Sequence, residues 1–482
     1  MANEVTAIST ETATQATPQL HRVLGRWDLV LLFVVAIVNL NVVPTIAANG
    51  GVTVWLWTLA LLLFFWPQGI AVIELAHRYP GEGGVYLWAK RVFGNFHGFL
   101  SGWCYWTNNI FYVPTVLLYF VGISVYAAGP RARALADNTW FALGASMVLL
   151  ALLVALNVRG LGVGKWVNNL GGIGTAITAV TLIGLGVVVL FRFGTTMTAA
   201  DFRIPGDIRL IGSFGVICFG LVGLELASVM GDEIQDPRRT LPGAVGWGGL
   251  ISGILYIGAT LTLLLAVSKQ DIGVLQGVVQ AVSHMADQVH VPWIVSPFAF
   301  VLSISIAGIA SAWLSGSARI PFVAGLDLYL PEGLGKLHKK FATPYVALIV
   351  HATLSAIFLG MSFVGAGVKE AFVTMLDLAV VLQLVPFIYI HGALLKLAMK
   401  SVPGEGYYSK TTLLLAGSCG MLTTILGMGV AFIPSHQIES IRLFEIKMVA
   451  GTLFFLGMAG FFFFVYGRRK AAQKLAAAAS VV

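Results

Sequence analysis

The chain has 482 residues, of which 58% are hydrophobic and only 10% charged, and it carries a net charge of +8. Soluble domains are about one quarter charged, so this balance excludes a string of water-exposed globular domains and implies one polytopic membrane domain. The positive excess calls for no nucleic-acid partner, because a basic face against an anionic leaflet accounts for it.

The opening residues, MANEVTAISTETATQATPQL, contain no apolar core, so residues 1–22 are expected to form a disordered cytoplasmic tail rather than a signal sequence or a span. Apolar runs of about 20 residues, enough to cross ~30 Å of hydrocarbon, then fall near 27–48, 53–75, 97–127, 139–158, 167–191, 211–230, 243–266, 293–315, 344–363, 370–396, 411–433 and 444–466. They predict an all-α chain of twelve transmembrane helices in a single domain over 23–468, with a second cytoplasmic tail over 469–482. Trp27, Trp55, Trp57, Trp140, Trp166 and Trp293 lie at the proposed helix ends, as an interfacial aromatic belt requires. Counted loop by loop, about two-thirds of the 29 lysines and arginines fall on the side of the N-terminus. The positive-inside rule then puts both termini in the cytoplasm and the chain in the cell membrane. Cys104, Cys218 and Cys419 sit within apolar segments, where each acts as a small hydrophobe, and no disulfide framework is implied.

Two of the twelve helices are written with interruptions. The first, WDLVLLFVVAIVNLNVVPTIAANG, carries Asn39, Asn41 and Pro44 in its middle third. Proline removes one backbone hydrogen bond and obstructs another, and the asparagines offer partners to the freed backbone. The sixth, IGSFGVICFGLVGLELASVMG, places Gly215, Gly220 and Gly223 before a carboxylate, Glu225. A charge near the bilayer centre costs roughly 2.5–3.5 kcal/mol on insertion scales, and each glycine weakens a helix by about 1 kcal/mol relative to alanine. Small residues in either helix alone could serve close packing. As a pair, five helices apart and entering from opposite sides, they form the pattern of an inverted repeat whose discontinuous helices build a substrate site.

The stretch ELAHRYPGEGGVYLWAKRVFGNFHGFLSGWCYW (74–106) resembles the second-to-third-helix signature of the amino acid/polyamine/organocation permeases. GLELASVMGDEIQDPRRTLPGAV (223–245) is similar to their sixth-helix signature, and GSARIPFVAGLDLYLPEGLGKLHKKFATPY (316–345) to their loop after helix 8. The resemblance spans about helices 1 to 10. It implies a leucine-transporter-type fold, with five helices over about 27–191, five inverted over about 211–396 and two further helices over about 411–466. It also implies secondary active transport of amino acids by alternating access, through proton-linked symport or exchange, with polyamine or organocation transport as the alternative. Carried over by position, the helix 1 break is Ile37, Val38, Asn39, Leu40 and Asn41. The helix 6 break is Gly220, Leu221, Val222 and Gly223, and an aromatic gate over the substrate falls on Phe219. Two departures stand out: Val38 and Asn39 replace a glycine run, and Gly174 occupies the helix 5 place where many members carry a lysine.

The residues themselves agree on the substrate class. A bare half-helix N-terminus suits a carboxylate and unwound carbonyls suit an ammonium, and an amino acid has both groups. Glu225, bordering the break, is the expected proton-coupling group. Asp377 in helix 10 is either a packing or gate partner or a substrate-amine contact, and Glu74 is expected to bond the adjacent loop. Asn108, Asn109 and Tyr112 on helix 3 could partner helix 1 or the substrate. Ser311 and Ser315 on helix 8 either bond their own backbone or face a sodium ion at the helix 1 break. PGEGGVYLW lacks the Lys-Ser/Thr of a phosphate loop and no metal motif occurs, so no cofactor or metal is expected. No nucleophile or carboxylate pair converges as an enzyme would need, and a channel has no use for two opposed breaks around one site. The expected partners are a small-molecule substrate, a coupling proton and the lipid bilayer, and the oligomeric state is left open.

Overall fold

The computed structural model describes residues 22–81, 83–195, 197–203, 213–266, 276–327, 329–362, 368–400, 406–434, 438 and 440–467. Apart from Arg22, the expected tails lie outside the described residues. The chain is helical throughout, in the order α1a (Arg26–Ile37), α1b (Val43–Ala47), α2 (Val52–Arg78), α3 (Asn95–Ala127), α4 (Thr139–Val158), α5 (Leu161–Phe193), α6a (Ser213–Gly220) and α6b (Leu226–Val229). These are followed by α7 (Pro237–Ala266), α8 (Val295–Ser317), α9 (Tyr345–Ser362), α10 (Val368–Lys400), α11 (Lys410–Val430) and α12 (Ile441–Phe461). Among the described residues nine helices are long and apolar enough to cross a membrane. The other expected spans are the shorter apolar helix α9 and the two split helices α1 and α6. Connecting helices Val85–Phe93, Gly277–Gln288 and Arg319–Leu326 lie between them.

Close helix packing sets the position of the split helices. Helix α3 runs through the centre with most of its span buried, whereas α12 leaves nearly all of its span outside. Helix α5 touches α8 backbone to backbone: a Cβ on Gly308 would lie 2.5 Å from the Gly171 Cα. On its other side Gly172 packs on α1a, where a Cβ would meet the Leu31 carbonyl oxygen at 2.7 Å. Small residues allow this approach where lipid supplies no hydrophobic drive between helices. The segment before α1a pairs with the segment after α6b through a parallel bridge, Leu24 to Ile234. The two broken helices are thereby joined at the face bearing Arg22.

Both breaks fall slightly later than the sequence suggests. In α1 the helix ends at Ile37 and resumes at Val43, and Pro44 sits in the first turn of α1b. There its missing N–H would have had no intrahelical partner, so the proline starts the second half rather than cutting the first. In α6 the unwound residues are Leu221 to Glu225, and α6b is a single turn. Gly223 has φ +144°, and a Cβ on it would lie 2.8 Å from Ile37 Cγ1, so both backbone and space demand glycine. The aromatic belt needs one correction. Trp27, Trp55, Trp140, Trp166 and Trp293 are exposed, but Trp57 is fully buried and stacks on Tyr256 of α7, ring centroids 4.3 Å apart. It is one of a pair of tryptophans two residues apart on α2, too close in sequence to share a face.

Candidate substrate site at the two helix breaks

Where α1a and α6a end, their backbones need partners from other helices, and Tyr256 supplies one to both. Its hydroxyl accepts the Asn39 N–H at 2.9 Å and donates toward the Ile37 carbonyl and toward the Gly220 carbonyl at 2.8 Å. The Ala36 carbonyl, freed one residue earlier, accepts from Asn39 Nδ2 at 3.0 Å and from Trp313 Nε1 of α8 at 3.2 Å. The side chain of Asn39 thus competes for the backbone that would otherwise continue the helix.

The α6 break is stitched by its own carboxylate. Glu225 Oε2 accepts from the Gly223 N–H at 3.0 Å and from Gln68 Nε2 of α2 at 2.8 Å, and Oε1 from Gln383 Nε2 of α10 at 3.3 Å. Gln383 Oε1 in turn accepts from Asn108 Nδ2 of α3. A fully buried polar chain therefore crosses the bundle from α3 through α10 and α6 to α2. Among the described residues no lysine or arginine takes part in it, and beside these amides the Tyr105 hydroxyl of α3 also faces the carboxylate.

At the α1 break the polar atoms are not used up. Asn39 Oδ1, both side-chain polar atoms of Asn41 and the Tyr112 hydroxyl are buried without a hydrogen-bond partner among the described residues. The Tyr112 hydroxyl stands beside Asn39 and Asn41, and the Tyr112 ring meets Phe219 edge-on, centroids 5.0 Å apart. Tyr112 also meets Trp313 at 5.7 Å. An aromatic layer of α3, α6a and α8 thus closes over the unpaired groups. Val38, Leu221 and Val222 are buried among the apolar walls.

Of the residues expected from sequence, Ile37, Asn39, Gly220, Gly223 and Glu225 are joined by the bonds just described. Asn109 donates to its own helix at Tyr105 (2.9 Å) and keeps its carbonyl oxygen unpaired. Asp377 is buried on α10, six residues before Gln383, and no bond of the polar chain reaches it. Ser311 accepts from Asn157 of α4 at 3.0 Å and Ser315 donates to its own helix at Ala312, so both are engaged in packing. Gly174 lies against α8, where a Cβ would come 3.2 Å from the Val301 carbonyl oxygen. Glu74 pairs with Arg78 of its own helix at 2.6 Å and accepts the Tyr407 and Tyr408 N–H groups, both at 2.9 Å, so the loop it bonds is the one before α11 and not the one that follows α2. Gly83 and Gly84 pack on α6b, with the Gly83 N–H donating to the Val229 carbonyl at 3.0 Å. Gln68, Gln383 and Tyr256 were not singled out from sequence. The glutamines stand in apolar runs, WPQGI and VVLQLVP, and an uncharged polar residue at membrane depth is the signal that could have found them. A lone tyrosine gives no such signal.

The Amino acid permease family model matches residues 24–473. The chain belongs to the amino acid permease family. This permease is 28% identical over 450 residues to an uncharacterised transporter of Legionella pneumophila, covering 90% of this chain and 95% of that one. It is 24% identical to the branched-chain amino acid permease BcaP of Bacillus subtilis, over 72% of this chain and 76% of that one. It is 22% identical to the probable agmatine/putrescine antiporter AguD of Lactococcus lactis, over 73% and 74%. Among solved structures, MhsT in complex with L-phenylalanine matches with a TM-score of 0.64 at 15% identity, covering 85% of this chain and 99% of that one. The permease therefore shares the leucine-transporter-type fold and is a membrane transporter of small molecules.

Proposed function

We propose that this permease carries amino acids across the cell membrane by alternating access, with both termini in the cytoplasm and a proton moving through Glu225. The observation that carries this reading is the set of unpaired buried polar atoms at the α1 break, capped by Phe219 and Tyr112. Each buried polar group left unpaired costs about 1–3 kcal/mol, so a polar ligand that bonds several of them is strongly favoured there. The ammonium meets the carbonyl ends of α1a and α6a, and the carboxylate meets amides at the start of α1b and the asparagine side chains. Phe219 closes over the bound ligand and excludes water.

Glu225 provides the proton step. Ionised, it accepts three N–H groups. Protonated, it has an O–H to donate, and the buried, unpaired Gln68 Oε1 becomes its acceptor once that amide turns over. Loading the proton thus rearranges the contact between α2 and the α6 break. With no cation in the polar chain, the proton is the charge that the carboxylate exchanges.

A polyamine reading is kept alive by Asp377, a second buried acid, and by the likeness to AguD. A melting screen against amino acids, putrescine and agmatine separates the two, since a ligand at 100 times its Kd stabilises by about 2.7 kcal/mol. Uptake into proteoliposomes under an imposed pH gradient then tests coupling. An amino acid that raises the Tm and enters faster with an inward proton gradient is the expected result. Stabilisation by putrescine alone would overturn the amino-acid reading.

A further inference from the structure

Tyr256 lies outside the unwound segments, on α7, yet among the described residues it is the one side chain that bonds the backbones at both breaks. Its ring is fixed by the stack on Trp57, and a Cβ on Gly220 would lie 3.3 Å from its hydroxyl oxygen. That oxygen accepts the Asn39 N–H, and its proton faces two carbonyls, those of Ile37 and Gly220. A tyrosine hydroxyl has one proton to give. The two carbonyls, one ending α1a and the other ending α6a, must share it; the Ile37 carbonyl also accepts the Asn39 N–H at 2.7 Å, and among the described residues no other side chain donates to either.

We propose that Tyr256 is a positioning residue that couples the two broken helices through this single shared proton. When a ligand N–H takes the Ile37 carbonyl, the hydroxyl turns fully to Gly220 and tightens the hold on α6a. When the ligand takes the Gly220 carbonyl, the hold passes to α1a. A change at one break thereby alters the bond made to the other, so the two half-sites respond together. This rests on the reading of the breaks as a ligand site, but the coupling itself is a property of the empty protein as well. Loss of the hydroxyl, as in Tyr256→Phe, leaves the ring stack in place and removes only the shared proton and the acceptor for Asn39.

The test uses Val42→Cys, which places a thiol at the end of the α1 break, and measures its rate of maleimide labelling in purified full-length protein above that of the unsubstituted chain. Glu225→Gln, which perturbs only the other break, is expected to change this rate about fivefold or more when Tyr256 is present, and less than twofold with Tyr256→Phe. The control is Tyr119→Phe, which removes a buried hydroxyl that has no partner among the described residues and is expected to preserve the response. Proteoliposome uptake of L-leucine, L-phenylalanine and putrescine is measured in parallel, with kcat expected to fall about tenfold in Tyr256→Phe and to hold in Tyr119→Phe. An unchanged response to Glu225→Gln in the Tyr256→Phe background, or no response even with Tyr256 present, overturns the coupling. Failure of all three solutes to be transported instead counts against the substrate reading, and the labelling experiment still decides the role of Tyr256.

Discussion

The two helix breaks solve the same problem in opposite ways. The α6 break is closed around its own carboxylate: Gly223 makes the turn, and Glu225 folds back to bond the Gly223 amide while Gln68 and Gln383 meet the carboxylate and Tyr256 takes the Gly220 carbonyl. The α1 break has no charge, leans on Tyr256 and Trp313 from other helices, and leaves several polar atoms without partners among the described residues. A break whose polar groups are paired can hold a proton without losing its shape. An unsatisfied one is poised to gain bonds from a ligand. Under the proposed function, proton handling falls to α6 and ligand capture to α1, although the two lie within contact of each other.

The sharpest way to break this contrast is at Gly223. With φ +144° and 2.8 Å between an added Cβ and Ile37, Gly223→Ala should cost on the order of 3 kcal/mol and abolish uptake, measured by thermal melting and proteoliposome transport. A wild-type Tm would mean that the α6 break is not held by its own geometry. Phe219→Ala should come next, lowering uptake at least about tenfold while the protein still reaches the membrane, because the gate over the α1 side is lost.

Glu225→Gln keeps the size and most hydrogen bonds of the carboxylate but cannot exchange a proton. Ligand-induced melting shifts should survive and the pH dependence of uptake between about pH 5 and 8 should flatten; a normal profile would take the proton role away from α6. Asn41→Ala should do the converse, weakening ligand binding about tenfold with the Tm of the ligand-free protein unchanged or slightly raised, since it deletes two unpaired polar atoms. The smallest structural disturbance is a surface label: thiols introduced by Lys339→Cys and Asp287→Cys should react from the cytoplasmic and the outer side respectively, and the reverse pattern would invert which break faces which compartment.

The membrane class, the helical segments and the two interruptions were legible in the sequence because a bilayer imposes them locally. Each span must supply about 20 apolar residues and satisfy its own backbone, so Asn39, Asn41, Gly223 and Glu225 stand out against the apolar run in which they sit. That Glu74 bonds the distant loop before α11, and not the one adjacent to its own helix, was not readable. Which partners meet those residues was decided only by the tertiary structure. Gln68, Gln383 and Tyr256 lie more than thirty residues from the breaks they bond and reach them only through the packing of α2, α10 and α7 on the split helices; at Gly248 of α7, for example, a Cβ would lie 2.7 Å from the Phe33 Cβ of α1a. Ser311, read as bonding its own backbone or facing a sodium ion, and Trp57, read as an interfacial belt residue, meet Asn157 and Tyr256 instead because of the helix faces on which they fall. Local physics marks where a helix must stop; the rotation and spacing of its neighbours, set by contacts distant in the chain, choose the groups that take its place.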